Sequence, residues 1–117
     1  MVDVLIVEDD PIFARVLKAQ LAALADPKCV VAHAPTLAAA LAHLRDARVD
    51  VVLSDLGLPD SQGQATVDAL KRAAPKVPLV ILSGAEDPPR GADMTLLKGG
   101  IGGAELAGAI KKVLDLE

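Results

Sequence analysis

Five side chains that could carry chemistry lie at or just after the ends of short apolar runs in this sequence. They are Glu8, Asp9, Asp55, Ser83 and Lys98. Carboxylates bind hard cations such as Mg²⁺, and a hydroxyl or an ammonium group can bind an oxyanion. These groups match the needs of phosphoryl transfer, which are a nucleophile, a metal ion and groups that stabilise developing charge. We therefore predict that Asp55 is a nucleophile that forms an acyl phosphate.

The run that leads to Asp55 organises the predicted fold. It is 51–53, apolar at every position, and this pattern is typical of a strand that is covered on both faces. Similar runs occur at 4–7, 29–32, 79–82 and 94–97, with helical patterns between most of them. This alternation predicts an α/β domain with a doubly wound, five-stranded parallel sheet. By analogy with known sheets of five such strands, we expect the flavodoxin-like order 2-1-3-4-5.

Capping residues mark where the helices should begin. Asp10-Pro11 predicts an N-cap followed by the first helical position. The inward face of that helix is predicted to hold Phe13, Val16, Leu17, Leu21 and Leu24. Pro35-Thr36 predicts the start of a second helix, and Asp60 and Ser61 are predicted to be turn and cap residues ahead of a third helix over 64–74.

The fourth crossover, over 84–93, is unusually short. It contains Pro88, Pro89 and Gly91, whereas a crossover with a full helix needs about a dozen residues or more. Ten extended residues can still span roughly 33 Å, which is enough to return along a strand. We therefore predict that the fourth helix is missing or very short.

The predicted strand order brings the candidate residues to one edge of the sheet. Sites in parallel sheets form at the carboxyl ends of the strands, at the point where the strand order reverses. Asp9 and Asp55 would then face each other on strands about 4.8 Å apart. Two like charges about 4 Å apart repel by about 4 kcal/mol at an effective dielectric constant of 20. Mg²⁺, or Mn²⁺ in its place, would relieve this repulsion, while Ser83 and Lys98 lie one and two strands away.

Composition excludes several classes of protein. The chain has 117 residues, expected to form one domain over 1–117, and a net charge of −4 with scattered basic residues. It has a single aromatic residue, so we expect no nucleic-acid partner. No apolar run is long enough for a bilayer, so we expect no membrane insertion. The lone Cys29 rules out an internal disulfide and favours a cytoplasmic location.

Four segments together resemble a known family. They are 4–10 (VLIVEDD), 53–60 (LSDLGLPD), 82–84 (LSG) and 97–98 (LK), and they occur in order at the predicted strand ends. In this combination the chain resembles the receiver (CheY-like) domain of two-component response regulators and hybrid histidine kinases. The resemblance covers nearly the whole chain. It implies a phosphorelay role, in which a histidine kinase or histidine phosphotransfer protein supplies a phosphoryl group and an unidentified downstream protein responds.

The resemblance also implies roles for individual residues. Asp55 is expected to accept the phosphoryl group, Asp9 to bind Mg²⁺ directly, and Glu8 to act mainly through water. The backbone carbonyl of Gly57 is expected to be another metal ligand, and Ser83 and Lys98 to bind phosphoryl oxygens. Gly57 and Ala85 occupy positions that tune hydrolysis of the acyl phosphate. Such a domain is not an enzyme, but a phosphoryl acceptor with at most slow self-catalysed phosphorylation and dephosphorylation.

Two residues depart from the family pattern. Gly99 follows the lysine where the family usually has Pro, and Thr95 replaces the usual Tyr or Phe three residues before the lysine. These departures motivate an alternative, a phosphorylation-independent pseudo-receiver that acts as a protein-docking module. A third alternative is a phosphatase with an Asp nucleophile. Such enzymes typically carry a second Asp two residues on, where this chain has Gly57, so this alternative ranks low.

Overall fold

Strands and helices alternate along nearly the whole chain. The computed structural model describes residues 1–84 and 89–116. Its elements are β1 (Val2–Val7), α1 (Pro11–Ala22), β2 (Cys29–Ala34), α2 (Leu37–Asp46), β3 (Val51–Asp55), β4 (Gly57–Leu58), β5 (Ser61–Gln62), α3 (Gln64–Ala73), β6 (Leu79–Ser83), β7 (Met94–Leu97) and α4 (Gly103–Val113). None of the helices in the described residues combines the length and the apolar character that a membrane span requires.

The main sheet has five strands in the order β2-β1-β3-β6-β7, and every neighbouring pair is parallel. The predicted fold class and the flavodoxin-like order 2-1-3-4-5 are therefore confirmed. Two-residue strands β4 and β5, which pair antiparallel after β3, were not predicted. Every strand of this sheet except β7 extends further than its apolar run, and Asp55 is the last residue of β3. The reason is that parallel pairing continues along the backbone, as in the pairing of Asp55 with Leu82.

Apolar side chains pack on both faces of this sheet. One face packs against α2 and α3, and the other packs against α1 and α4. Residues 51–53 of the central strand are all buried, as the uninterrupted apolar run predicted, and Ser54 is buried as well. The predicted inward face of α1 is correct for Leu17 and Leu21, which are fully buried, but it is wrong for Val16, which is 45% exposed. Val16 is turned about 100° around the helix from Leu17, away from the buried side formed by Ala14, Leu17 and Leu21.

Side-chain caps hold the starts of α1 and α2, and one cap was assigned to the wrong helix. Asp10 accepts hydrogen bonds from the backbone N–H groups of the first turn of α1, and Pro11 follows it, as predicted. Asp60 instead accepts hydrogen bonds from the N–H groups of Leu37 and Ala38, so it caps α2 and not α3. The N-cap of α3 is Gly63, which has no side chain to offer. The error arises because the loop after β3 folds back over the neighbouring helix.

The fourth crossover is non-helical at residues 84 and 89–93, and the described residues form four helices. This agrees with the prediction for the fourth helix, although 85–88, and with them the predicted role of Ala85, lie outside the described residues. The returning segment is attached to α3 at two places. The Gln64 side chain exchanges two hydrogen bonds with the backbone of Arg90, and Lys71 pairs with Asp93 at 3.1 Å.

Candidate functional site

The carboxylate of Asp55 is held from two sides at the carboxyl end of β3. Its Oδ1 atom accepts hydrogen bonds from the backbone N–H groups of Leu56 (2.7 Å) and Gly57 (3.4 Å). Its Oδ2 atom accepts a hydrogen bond from Lys98 Nζ at 2.8 Å. The side chain is 18% exposed, so the carboxylate is fixed in orientation and still reachable from solvent.

Glu8 is the most deeply buried carboxylate of the site. It is 1% exposed, and it follows β1 directly. Its Oε1 atom accepts a hydrogen bond from the N–H of Asp10 at 3.2 Å, and its Oε2 atom lies 3.4 Å from Lys98 Nζ. Burial raises the pKa of Glu8, and the negative charge of Asp55 raises it further. A cation next to Glu8 therefore stabilises its ionised form.

Lys98 joins three strands of the sheet. Its backbone N–H donates to the carbonyl of Ser83 at 2.9 Å, which continues the pairing of β6 with β7 beyond the last apolar residue. Its ammonium group lies between Asp55 and Glu8. Burial by itself lowers the pKa of Lys98, but the hydrogen bond and charge of Asp55, together with Glu8, outweigh burial and raise it. Lys98 is therefore protonated at neutral pH.

The acidic residues form a group that suits a hard cation. Glu8, Asp9 and Asp55 each offer one carboxylate oxygen, and these oxygens lie within 4.8 Å of one another. Glu8 is buried, Asp55 is partly buried and Asp9 is exposed, so the group opens towards solvent at Asp9. Mg²⁺ prefers oxygen ligands and keeps several waters, and a half-open cluster of three carboxylates fits that preference.

The other predicted site residues lie at the same edge of the sheet. Ser83 is the last residue of β6 and is 4% exposed. It directly follows Leu82, the residue of β6 that pairs with Asp55 of β3. Gly57 opens β4, two residues after Asp55, with its N–H directed at that carboxylate. Sequence reasoning therefore brought all of these residues to one edge, while their roles in binding a metal or a phosphoryl group stay predictions.

Two contacts at this site were missed by sequence reasoning. The ring of Phe13 lies against Lys98, with the Nζ atom 4.7 Å from the ring centroid. His33 has a ring nitrogen 2.7 Å from the carbonyl oxygen of Glu8. The helix start at Asp10-Pro11 could have predicted that Phe13 lies near the site. Phe13 is the third residue of that helix, which places it beside the strand ends. Nothing near His33 in the sequence indicates its contact.

Thr95, which replaces the aromatic residue usual in the family pattern, lies in β7. Thr95 pairs with Ile81 of β6, and it points to the opposite face from Met94 and Leu96, which pack towards α1 and α4. Leu97 lies on the same face as Thr95 and is 58% exposed. Among the described residues, the face of β7 that looks away from α1 and α4 therefore leaves Leu97 largely exposed at the end nearest the site.

Comparisons with known proteins agree with this architecture. A profile of the response regulator receiver domain matches residues 4–111. The chain is similar to the signal receiver domain of a signal transduction histidine kinase from Syntrophus aciditrophicus, with 27% identity, a TM-score of 0.83, and coverage of 98% of this chain and 91% of that chain. It is also similar to the chemotaxis response regulator CheY4 of Vibrio cholerae, with 25% identity and a TM-score of 0.82. The match covers 97% of this chain and 99% of that chain.

A third solved structure supports the fold alone. It is the signal receiver domain of an HD domain-containing protein from Pseudomonas fluorescens Pf-5, with 21% identity, a TM-score of 0.85, and coverage of 97% of this chain and 87% of that chain. A comparison with curated proteins finds no match. The profile match covers nearly the whole chain, and the sheet order and acidic edge agree with it. The chain therefore belongs to the response regulator receiver domain family.

Proposed function

We propose that this receiver domain takes a phosphoryl group from a phosphohistidine onto Asp55. The observation that carries the proposal is the position of the Asp55 carboxylate. Its Oδ2 atom lies 2.8 Å from the Lys98 ammonium, and its carboxylate is grouped with those of Glu8 and Asp9. This places a nucleophile next to a positive charge and a cation-binding group, which together favour transfer of an anionic phosphoryl group.

The transfer step is a substitution at phosphorus. An oxygen of Asp55 forms a new O–P bond while the N–P bond of the phosphohistidine breaks. The electron pair of that bond stays on the imidazole, which takes up a proton from solvent. When the signal ends, water attacks the same phosphorus, and the products are inorganic phosphate and the free Asp55 carboxylate. Self-catalysed phosphorylation without a partner protein, and self-catalysed dephosphorylation, would at most be slow.

The acidic group would hold the metal ion on which this chemistry depends. Asp9, Asp55 and the carbonyl of Gly57 would bind Mg²⁺, or Mn²⁺ in its place, and Glu8 would act mainly through water. When bound, the ion supplies positive charge that offsets the charge of the phosphoryl oxygens. The chain's own cation, Lys98, would pair with one phosphoryl oxygen, and the Ser83 hydroxyl would donate a hydrogen bond to another.

The partners follow from this chemistry. The donor would be a histidine kinase or a histidine phosphotransfer protein in the cytoplasm, and the readout would be altered contact with a downstream protein. An acyl phosphate changes the local charge at the strand ends, and such a change can bias a surface between two conformations. Because Thr95 replaces the usual aromatic residue, the change would reach the surface by a different route.

Intact-mass measurement tests the proposal directly. The protein is incubated with Mg²⁺ and acetyl phosphate, with and without a chelator, next to Asp55→Asn. We expect a single phosphoryl group on the wild type and none on the variant or in the presence of chelator. If acetyl phosphate gives no adduct, Mg²⁺-dependent binding of beryllium fluoride is measured instead. Absence of both adduct and binding contradicts the proposal.

A docking module that works without phosphorylation is the second candidate. Thr95, Gly99 and the short fourth crossover favour it, because they change the features that couple phosphorylation to the surface in this family. The two candidates differ in their need for Asp55. If Asp55→Asn binds the same cellular partner as the wild type does, with and without beryllium fluoride, docking is the function.

A further inference from the structure

We infer that Phe13 is a positioning residue for Lys98, and that its ring holds the ammonium in place beside Asp55. This inference rests on the proposed function. It starts from the composition of the chain, because Phe13 is the only aromatic residue among 117. That single ring lies at the site, with its centroid 4.7 Å from Lys98 Nζ. A cation within about 6 Å of a ring face is attracted by the ring's electron density.

The surroundings of Lys98 explain why a ring is suited to this place. An ammonium group has three N–H donors, and Asp55 and Glu8 each accept from Lys98. The Phe13 ring is a further neighbour of this group within the described residues. A third carboxylate or carbonyl here would compete with the phosphoryl group for Lys98. The ring attracts the cation but offers no oxygen, so Lys98 stays free to change its partner.

The backbone around Lys98 makes such support useful. Lys98 follows the edge strand β7, and Gly99 and Gly100 come directly after it. Gly100 has a positive φ of 82°, a conformation that glycine adopts readily, and neither glycine has a side chain that packs. The lysine stem has four rotatable bonds and loses much freedom when it is held in one position. Because this loop is not stiffened by proline, contact with the Phe13 ring of α1 supplies support that the loop does not.

Phe13 is itself held firmly enough for this task. It is the third residue of α1, whose start is fixed by the cap at Asp10, directly after the acidic residues of the site. Its ring is partly buried and packs with the core on the α1 and α4 face. The same helix start therefore fixes both the ring and the end of β1 that carries Glu8.

Three variants separate a positioning role from a packing role. Phe13→Leu keeps an apolar side chain and removes the ring face, and Phe13→Tyr keeps a ring. Leu24→Ala removes apolar volume from the same core face, where Leu24 packs near Gly103. Each protein is assayed at a temperature where circular dichroism shows it to be fully folded.

The first readout is the initial rate of phosphoryl uptake from acetyl phosphate at saturating Mg²⁺. We expect Phe13→Leu to be slower than the wild type by about 2- to 10-fold, the range expected for loss of a partly exposed cation–π contact. Phe13→Tyr should restore the rate, and Leu24→Ala should match the wild type. The second readout is the NMR shift of the Lys98 ε protons, which the ring current should displace in the wild type and in Phe13→Tyr only.

The outcomes are distinct. A wild-type rate in folded Phe13→Leu, or an equal loss in Leu24→Ala, overturns the role of Phe13 and leaves the proposed function intact. Loss of Mg²⁺-dependent stabilisation in Phe13→Leu also overturns it, because the effect would then come from a damaged acidic group. If the wild type neither takes up phosphoryl groups nor binds beryllium fluoride, the proposed function fails and the role of Phe13 fails with it.

Discussion

Lys98 Nζ lies 2.8 Å from Oδ2 of Asp55, although Lys98 follows β7 and Asp55 ends β3, two strands that are not neighbours in the sheet. The same Nζ atom lies 3.4 Å from Oε2 of Glu8, which follows β1. One cation is therefore shared by the carboxylates of Asp55 and Glu8. Lys98 therefore stabilises both carboxylates, and under the proposed function the same ammonium would bind a phosphoryl oxygen. This double role makes the stability of the domain sensitive to the charges at its site.

Replacing Lys98 with Met should destabilise the protein at neutral pH. The variant keeps the apolar stem and leaves Glu8 buried without its cation. We expect a loss of about 1–3 kcal/mol in the free energy of unfolding, less than for a fully buried pair because the Lys98 side chain is 28% exposed. Urea denaturation in the presence of a chelator measures this loss in the free energy of unfolding. Lys98→Arg is the control and should lose less, and equal midpoints for wild type and Lys98→Met would contradict this explanation.

Replacing Asp9 with Asn should stabilise the metal-free protein. Asp9 adds a third negative charge within 4.8 Å of Glu8 and Asp55, and it is exposed. Removing this charge should raise the free energy of unfolding by a few tenths to about 1 kcal/mol in chelator. The wild type should gain stability on addition of Mg²⁺, since a ligand that binds only the folded state stabilises it. Asp9→Asn should gain much less. Thermal unfolding of both proteins, with chelator and with Mg²⁺, measures these changes in stability. An equal stabilisation of both proteins by Mg²⁺ would exclude Asp9 as a metal ligand.

The cap that Asp60 provides to α2 should depend on pH. Hydrogen bonds from the backbone N–H groups of Ala38 and Leu37 lower the pKa of Asp60. A group whose pKa is lower in the folded state stabilises that state at pH values above its unfolded pKa, which is about 3.9 for Asp. This contribution disappears as the pH falls through the lowered pKa. Asp60→Ala should therefore lower Tm at pH 7, and the difference from the wild type should shrink below about pH 4.

Asp60→Asn is the matched variant, because it retains an oxygen acceptor but cannot ionise. At pH 7 the Tm of Asp60→Asn should lie between the Tm of the wild type and that of Asp60→Ala. The difference in Tm between Asp60→Asn and Asp60→Ala should not vanish in acid. A difference between the wild type and Asp60→Ala that stays constant from pH 7 to pH 2.5 (about 1.4 units below the unfolded Asp pKa) would show that the carboxylate charge does not contribute.

Asp93 should anchor the short fourth crossover. Its Oδ2 atom accepts hydrogen bonds from the backbone N–H of Leu79 at 2.7 Å and from Lys71 Nζ at 3.1 Å. Asp93→Ala should cost about 1–2 kcal/mol, because the N–H of Leu79 loses its partner. Asp93→Asn keeps an acceptor for that N–H and should cost less than half as much. Chemical denaturation compares the two, and equal losses would assign the stabilisation to the Lys71 ion pair instead.

Much of the fold and of the site could be predicted from the sequence, because the deciding signals are local. The apolar runs at 4–7, 51–53 and 79–82 predicted buried strands, and the cap at Asp10-Pro11 predicted the start of α1, as the structure has them. The runs at 29–32 and 94–97 form the edge strands β2 and β7, which are only partly buried because each has a neighbouring strand on one side alone. Residues that end parallel strands are brought to one edge by the sheet itself. For this reason Glu8, Asp9, Asp55, Ser83 and Lys98 could be grouped without any knowledge of side-chain packing.

Only the tertiary structure decided which side chains meet across that edge. Asp60 caps α2 instead of α3, and the Phe13 ring lies against Lys98, 85 positions further along the chain. Contacts of this kind depend on how loops fold back and on how α1 lies on the sheet. No periodicity in the sequence specifies those angles, because many arrangements satisfy the same apolar pattern. The sequence by itself therefore determined the sheet and its acidic edge, and packing determined the partners of Asp60 and Lys98.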